Sequence, residues 1–127
     1  MNKYGQAAIK AVKLYISNQV ETPKNAWDQA TVEIFGMGTS SQKTSCPKVA
    51  FLGLCEEGLI KGIPRGMYTR SKKNKKYALD AVRILKQNTA STITSVELWV
   101  QVVTEKDKKH NNQMDVVISL WSNHLIE

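Results

Sequence analysis

Apolar residues recur every three to four positions along most of this chain, the spacing of helix faces rather than of strands. Tyr4, Ala7, Ala8, Ala11, Leu14 and Tyr15 fall on one side of a helix over residues 4–18, with Lys3, Gln6, Lys10, Lys13 and Ser17 opposite. Alanines on the inner face predict a close helix–helix contact. Thr22 and Pro23 open a second helix, because proline's fixed φ suits the first turn and its missing N–H has no helical partner there. Ala26, Trp27, Ala30 and Ile34 line that helix, with Val32 and Phe35 beside them, and Gly36 ends it.

Residues 37–45 read as a small-residue connector. A third helix starts around Pro47 with Ser45 or Cys46 as its cap. Val49, Ala50, Phe51, Leu52, Leu54 and Cys55 leave it almost no polar face, which predicts burial nearly all round. Gly58, after Glu56 and Glu57, stands where a residue turns left-handed to end a helix, with Leu59 placed to fold back on the last turn. A fourth helix runs from Asn74, its expected cap, to about residue 88. Its inner face is Tyr77, Ala78, Ala81, Val82, Ile84 and Leu85, and Lys76, Asp80, Arg83 and Gln87 face water.

After a linker at 90–92, Thr94 and Glu97 have capping-box spacing. Val96, Trp99, Val100 and Val103 then repeat helically, although three valines and a tryptophan within 98–104 equally describe a strand. Residues 105–113 form a polar turn. From Met114, the positions Val117, Ile118, Trp121 and Leu125 mark a last helix to the C-terminus, with Trp121 expected to meet Trp99. There is no internal repeat. The pattern predicts one all-α domain over residues 1–127, of five or six helices, with or without a small β-hairpin between 60 and 77.

Charge changes this picture at one place. The 127 residues hold 18 lysines and arginines against 11 acidic residues, a formal net charge of +7. Seven of the basic residues, Lys61, Arg65, Arg70, Lys72, Lys73, Lys75 and Lys76, lie within 61–76, which has no acidic residue. Outside that segment the chain is balanced, so the surplus resides entirely there. Lysine and arginine neutralise phosphates and release their counterions without reading sequence. Gly62 and Gly66 would let backbone approach a ligand, and Met67 and Tyr68 would lie against sugar or base. The candidate anion or nucleic-acid site is therefore Lys61, Arg65, Tyr68, Arg70, Lys72, Lys73, Lys75 and Lys76.

The order of helices followed by a basic hairpin is that of a winged helix-turn-helix. Against it, the helix in the recognition position is apolar, ends in two glutamates and offers only Lys48 to DNA, and the connector before it exceeds the usual three or four residues. Phosphate contact with little base reading is expected instead. The alternatives are a lysine-rich surface that merely keeps the protein soluble, an acidic protein or anionic metabolite as partner, and a protein–protein adaptor or homo-oligomeric domain. A phosphate-acting enzyme built on Tyr68 with Arg65 and Arg70 ranks behind these, and a noncatalytic binding module leads.

Other chemistry is thinly represented. No run approaches the roughly 18 apolar residues of a membrane span, residues 1–20 lack a signal-peptide core, and the basic segment has no apolar face to insert into a membrane surface. A cytosolic protein is expected. Cys46 and Cys55 fall on one helix and are not expected to bridge; with the distant His110 and His124 they make no zinc site. Cys46 is placed for thiolate stabilisation at a helix N-terminus near Lys43 and Lys48, but without a histidine base beside it. The run before Lys43 and Thr44 lacks the glycine that a phosphate-binding loop needs ahead of its lysine, since Gln42 stands there. No cofactor motif is present.

The phrases YGQAAIKAV, CPKVAFLGLCEEGLIKGIPRGMY and NKKYALDAV resemble a bacterial family of uncharacterised small proteins. The resemblance covers roughly residues 4–88. It implies a one-domain cytosolic bacterial protein and carries no activity or site residues with it.

Overall fold

Side-chain caps set where several helices begin. The Asn2 side-chain oxygen accepts from the Tyr4 and Gly5 N–H groups, Thr22 Oγ1 from Asn25, and Thr94 and Glu97 complete the reciprocal capping box. In the computed structural model, which describes residues 2–89, 92–103 and 109–127, the chain folds into α1 (Lys3–Ile16), α2 (Pro23–Phe35), a single turn α3 (Ser40–Lys43), α4 (Ser45–Glu56), α5 (Lys73–Gln87), α6 (Ser95–Val102) and α7 (Gln113–Ser122). The protein is all-α, with six helices of eight or more residues among those described.

Helix α7 is the axis of the packing, in contact with α1, α4, α5 and α6; α1 also packs on α2, and α4 on α5. Met114, Val116, Val117 and Leu120 of α7 are fully buried with Ala7, Ala8, Ala11, Trp27, Phe51 and Leu54. Two glycines set the closest approaches. A Cβ on Gly5 would lie 2.7 Å from Ser119 Cβ, so α1 crosses α7 almost backbone to side chain. A Cβ on Gly53 would lie 3.0 Å from the Cα of Lys75, so α4 and α5 also meet closely, here against backbone. As expected, α4 is buried on most sides.

Three helices end in the same way. After α1, α4 and α7 a residue turns left-handed: Asn18 at φ 61°, Gly58 at φ 72° and His124 at φ 60°. The next N–H bonds back across five residues, Gln19 to Leu14, Leu59 to Leu54 and Leu125 to Leu120. A side chain in this conformation costs about 1 kcal/mol relative to glycine, so His124 is an unusual occupant.

Several expectations are corrected. The last helix stops at Ser122, short of Leu125. The chain turns at His124 and brings Ile126 antiparallel to Ile60, with Lys61 N–H donating to Leu125 and Glu127 N–H to Leu59. This bridge to the C-terminus stands where a hairpin within 60–77 was expected, so there is no wing. Residues 98–102 are helical and Val103 is extended, while Thr104 lies outside the described residues, as do parts of the 90–92 linker and the 105–113 turn. The 37–45 connector contains α3. The α4 helix begins at Ser45 without a side-chain cap, and Asn74 sits inside α5 rather than capping it. Trp99 meets the ring of Tyr77 at 5.1 Å and that of His110 at 5.2 Å, not Trp121.

Candidate anion-binding ridge

Beyond the α4 stop at Gly58 and the bridge at Ile60, the segment up to residue 72 has no regular structure, and Glu56 holds its 66–69 part in place. Glu56 Oε1 accepts from the backbone N–H groups of Tyr68 at 2.9 Å and Thr69 at 3.3 Å, and the Glu56 carbonyl accepts from Gly66 N–H at 3.3 Å. Its Oε2 receives Lys75 Nζ at 2.6 Å, and the same ammonium reaches Glu57 at 2.8 Å. The missing side chain of Gly53 lets α5 come close enough for this. The Lys75 bond, followed by the two backbone donors, holds the Glu56 carboxyl below its ordinary range against the opposing effect of burial. Glu56 and Glu57 in turn push the Lys75 ammonium up. Lys75 is thus spent inside the fold, compensating two carboxylates.

Tyr68 is likewise turned inward. Its hydroxyl donates to the Pro64 carbonyl at 2.6 Å, and its ring closes over Gly66, where a Cβ would stand 2.6 Å from a ring carbon. Burial pushes the phenol up from its ordinary value. Gly66 therefore serves the tyrosine ring, and Gly62, whose Cβ would meet Ile16 at 2.7 Å, serves a packing contact; neither glycine opens the backbone to a ligand.

The remaining cations divide by position. Arg65, largely exposed, is 3.9 Å from Glu57. Lys76 and Arg83 share Asp80, at 3.1 and 2.7 Å, leaving that trio net positive. Lys73 is exposed. Arg70 and Lys72 are exposed and, among the described residues, have no ion-pair partner. Between them and Tyr68 the segment 67–70 borders two grooves. One, of about 730 Å³, is lined by Arg70, Lys72, Lys75, Lys76 and Arg83 together with the carboxylates Glu56 and Asp80. The other, of about 600 Å³, is lined by Lys24, Lys48, Val49 and Leu52. Met67 stands on the edge of both and is 95 % exposed.

The structure therefore brings together Arg70, Lys72 and Lys76, keeps Lys73 and Arg65 nearby in sequence and exposed, turns Tyr68 and Lys75 inward, and sends Lys61 elsewhere. Lys61 lines a different groove, with Trp121 and His124. Sequence reading missed Arg83, Lys24 and Lys48 as members of the rim. Arg83 was legible, two helical turns beyond Lys76 on the same face of α5. Lys24 and Lys48 reach the second groove only through the packing of α2 on α4, and Lys48 is tied to Asp28 at 2.7 Å.

Neither cysteine forms a reactive pair with a histidine. Burial pushes the Cys55 thiol far up. Cys46 Sγ accepts from the Asn74 amide at 3.7 Å, and Asn74 accepts from the fully buried Gln113 at 3.0 Å, a chain that ties α4, α5 and α7 together. His110 begins the α7 region, but its Nε2 accepts the Met114 N–H at 3.1 Å, a capping role that occupies the nitrogen a base would use. Among the described residues no group of three His, Cys, Asp or Glu side chains is placed to hold a metal, and no helix is long and apolar enough to cross a membrane.

Comparison with curated proteins and with solved structures gives no match. One family matches from end to end, over residues 1–127, and the chain accordingly belongs to that family of unknown function, DUF6979.

Proposed function

We propose that this protein is a noncatalytic binding module that contacts the phosphates of a nucleic acid through the ridge at 67–76 and the adjoining face of α5. The observation that carries the reading is the pair Arg70 and Lys72, exposed and without ion-pair partners among the described residues, on the wall of a groove that Lys76 and Arg83 extend. Of the carboxylates that line this groove, Glu56 is taken up by Lys75 and the 68–69 backbone and Asp80 by Lys76 and Arg83, which leaves the lining net positive. Such an arrangement fixes phosphates by charge, and contacts of that kind carry no base sequence. A methionine nearly wholly exposed on the same edge supplies an apolar surface for a sugar or base.

The test is binding of a short fluorescein-labelled DNA duplex, followed by anisotropy at low salt. The double variant Arg70→Gln/Lys72→Gln is expected to bind about tenfold more weakly or worse, from two lost charge-assisted contacts, and Lys61→Gln to bind as the wild type does. Unchanged affinity in the double variant overturns the proposal.

A second reading, as a protein–protein adaptor, has one observation in its favour. Val96 and Val100, two residues of the helical repeat read from the sequence, stand one turn apart on α6 and are 65 % and 69 % exposed. It predicts a complex that survives salt.

A further inference from the structure

The cation that leaves the ridge has a setting of its own. Lys61 borders a groove of about 560 Å³ between the 59–62 segment, the end of α5 and the C-terminal turn of α7. Its floor is apolar: Leu85 and Ile126 are buried, and Ile93 and Ile118 half-buried. Trp121, half-buried, also lines it. Lys61 and His124 stand on the rim with hydroxyl side chains, and no carboxylate side chain is among the lining residues. Among the described residues Lys61 has no ion-pair partner, while its backbone N–H is fixed by the Leu125 carbonyl at 2.9 Å.

Two details suit a ligand. The α7 stop places at φ 60° a histidine, where glycine would sit without strain. The histidine side chain lines the groove, where glycine would leave the position bare. The bridge between Ile60 and Ile126 also fixes the two rims relative to each other, so Lys61 and His124 are held on one site by backbone pairing rather than by loops. The size lies within the range of small-molecule sites, and an apolar floor with a few convergent polar groups is their usual composition.

From this groove we infer a second site, independent of the ridge, that takes a small carboxylic acid with a flat apolar body. The apolar part lies on Ile118, Ile126 and Trp121, and the carboxylate meets the Lys61 ammonium and the His124 ring. Charge selects an anion because nothing negative lines the groove. The apolar residues Leu85, Ile93, Ile118 and Ile126 favour an apolar body, and a compact, strongly hydrated anion such as phosphate would leave them unused.

The probe is 1-naphthoate, titrated into the ¹⁵N-labelled full chain up to about 5 mM, a range that captures millimolar affinities, with 1-naphthalenemethanol as the uncharged control. The expected result is saturable shifts of the Trp121 indole N–H and of the Ile93 and Ile126 amides. Naphthoate should bind more tightly than the alcohol. Lys61→Gln, whose side chain has no packing role, is expected to weaken naphthoate about fivefold or more, from loss of one charge-assisted contact, and to leave the alcohol unchanged. Absence of saturable shifts at these positions, shifts centred on residues 67–72 instead, or equal naphthoate affinity in the wild type and Lys61→Gln overturns the inference. Because neither Arg70 nor Lys72 lines this groove, failure here leaves the ridge untouched, and failure of DNA binding leaves this site untouched.

Discussion

Glu56 shows how one residue shapes the candidate site. Its carboxylate takes two backbone N–H groups from an otherwise irregular segment and an ammonium from the next helix, and so fixes the segment that carries the cations while removing Lys75 from ligand duty. His110 plays a similar part at α7, where its neutral Nε2 accepts the Met114 N–H. Both groups are shifted down, His110 because burial outweighs the attraction of Asp115, and Glu56 because of Lys75 and the backbone donors. A downward shift means the unfolded chain binds the proton more readily, so stability is complete above the unfolded value and lost as pH falls through the folded one. Acidification should therefore destabilise the fold in two stages, the first below the ordinary histidine value of 6.5 and the second below the ordinary glutamate value of 4.5. Denaturant unfolding at stepped pH is the measurement. His110→Gln, which retains an acceptor near the same place without titrating, should remove the first stage, and Glu56→Gln the second. A pH-independent midpoint between pH 7 and 5 in the wild type would contradict the assignment of His110.

At the scale of elements, the helices were legible because their apolar spacing, prolines and caps agree with one another. The positions 4–18, 23–36 and 74–88 correspond to α1, α2 and α5 within a residue or two. What escaped were features decided by distant partners. Leu125 has the right spacing to continue α7, but Ile60 offers backbone pairing that the helix end does not, and the chain takes it. Asn74 has the chemistry of a cap, but Gln113 and Cys46 lie within its reach. Gly5 read simply as part of a helix, and its reason is Ser119, 114 positions away. That contact is testable. Gly5→Ala raises helix propensity by about 1 kcal/mol, yet should destabilise the protein by about 1–3 kcal/mol through overpacking against α7. Gly5→Ala combined with Ser119→Gly should recover part of the loss, a coupling that separate sites would not give. Equal or greater stability of Gly5→Ala alone, in urea unfolding, would mean that α1 and α7 are not held at the distance described.

For the whole molecule, the position of the surplus charge was visible in the sequence, but its arrangement was not. Counting places all seven surplus cations in one segment. Folding turns Lys75 inward, moves Lys61 to a separate groove, pairs Lys76 with Asp80 and adds Arg83 from further along α5 and Lys24 from α2 to the rims. The places of Lys75, Lys61 and Lys24 do not follow from spacing within 61–76, because each depends on which element lies across from it, whereas Asp80 and Arg83 lie at helical spacing from Lys76. The result is a body whose charges are largely balanced and a ridge whose charges are not. The most direct measurement is the salt dependence of DNA binding by the intact protein. With Arg70, Lys72, Lys73 and Lys76 each meeting a phosphate, the logarithm of the binding constant should fall with the logarithm of salt at a slope of about −3 to −4, a loss of roughly 100-fold between about 50 and 200 mM. In the variant with those four residues replaced by glutamine the slope should collapse towards zero. A wild-type affinity that does not change with salt, or a slope that the four substitutions leave intact, would contradict the account.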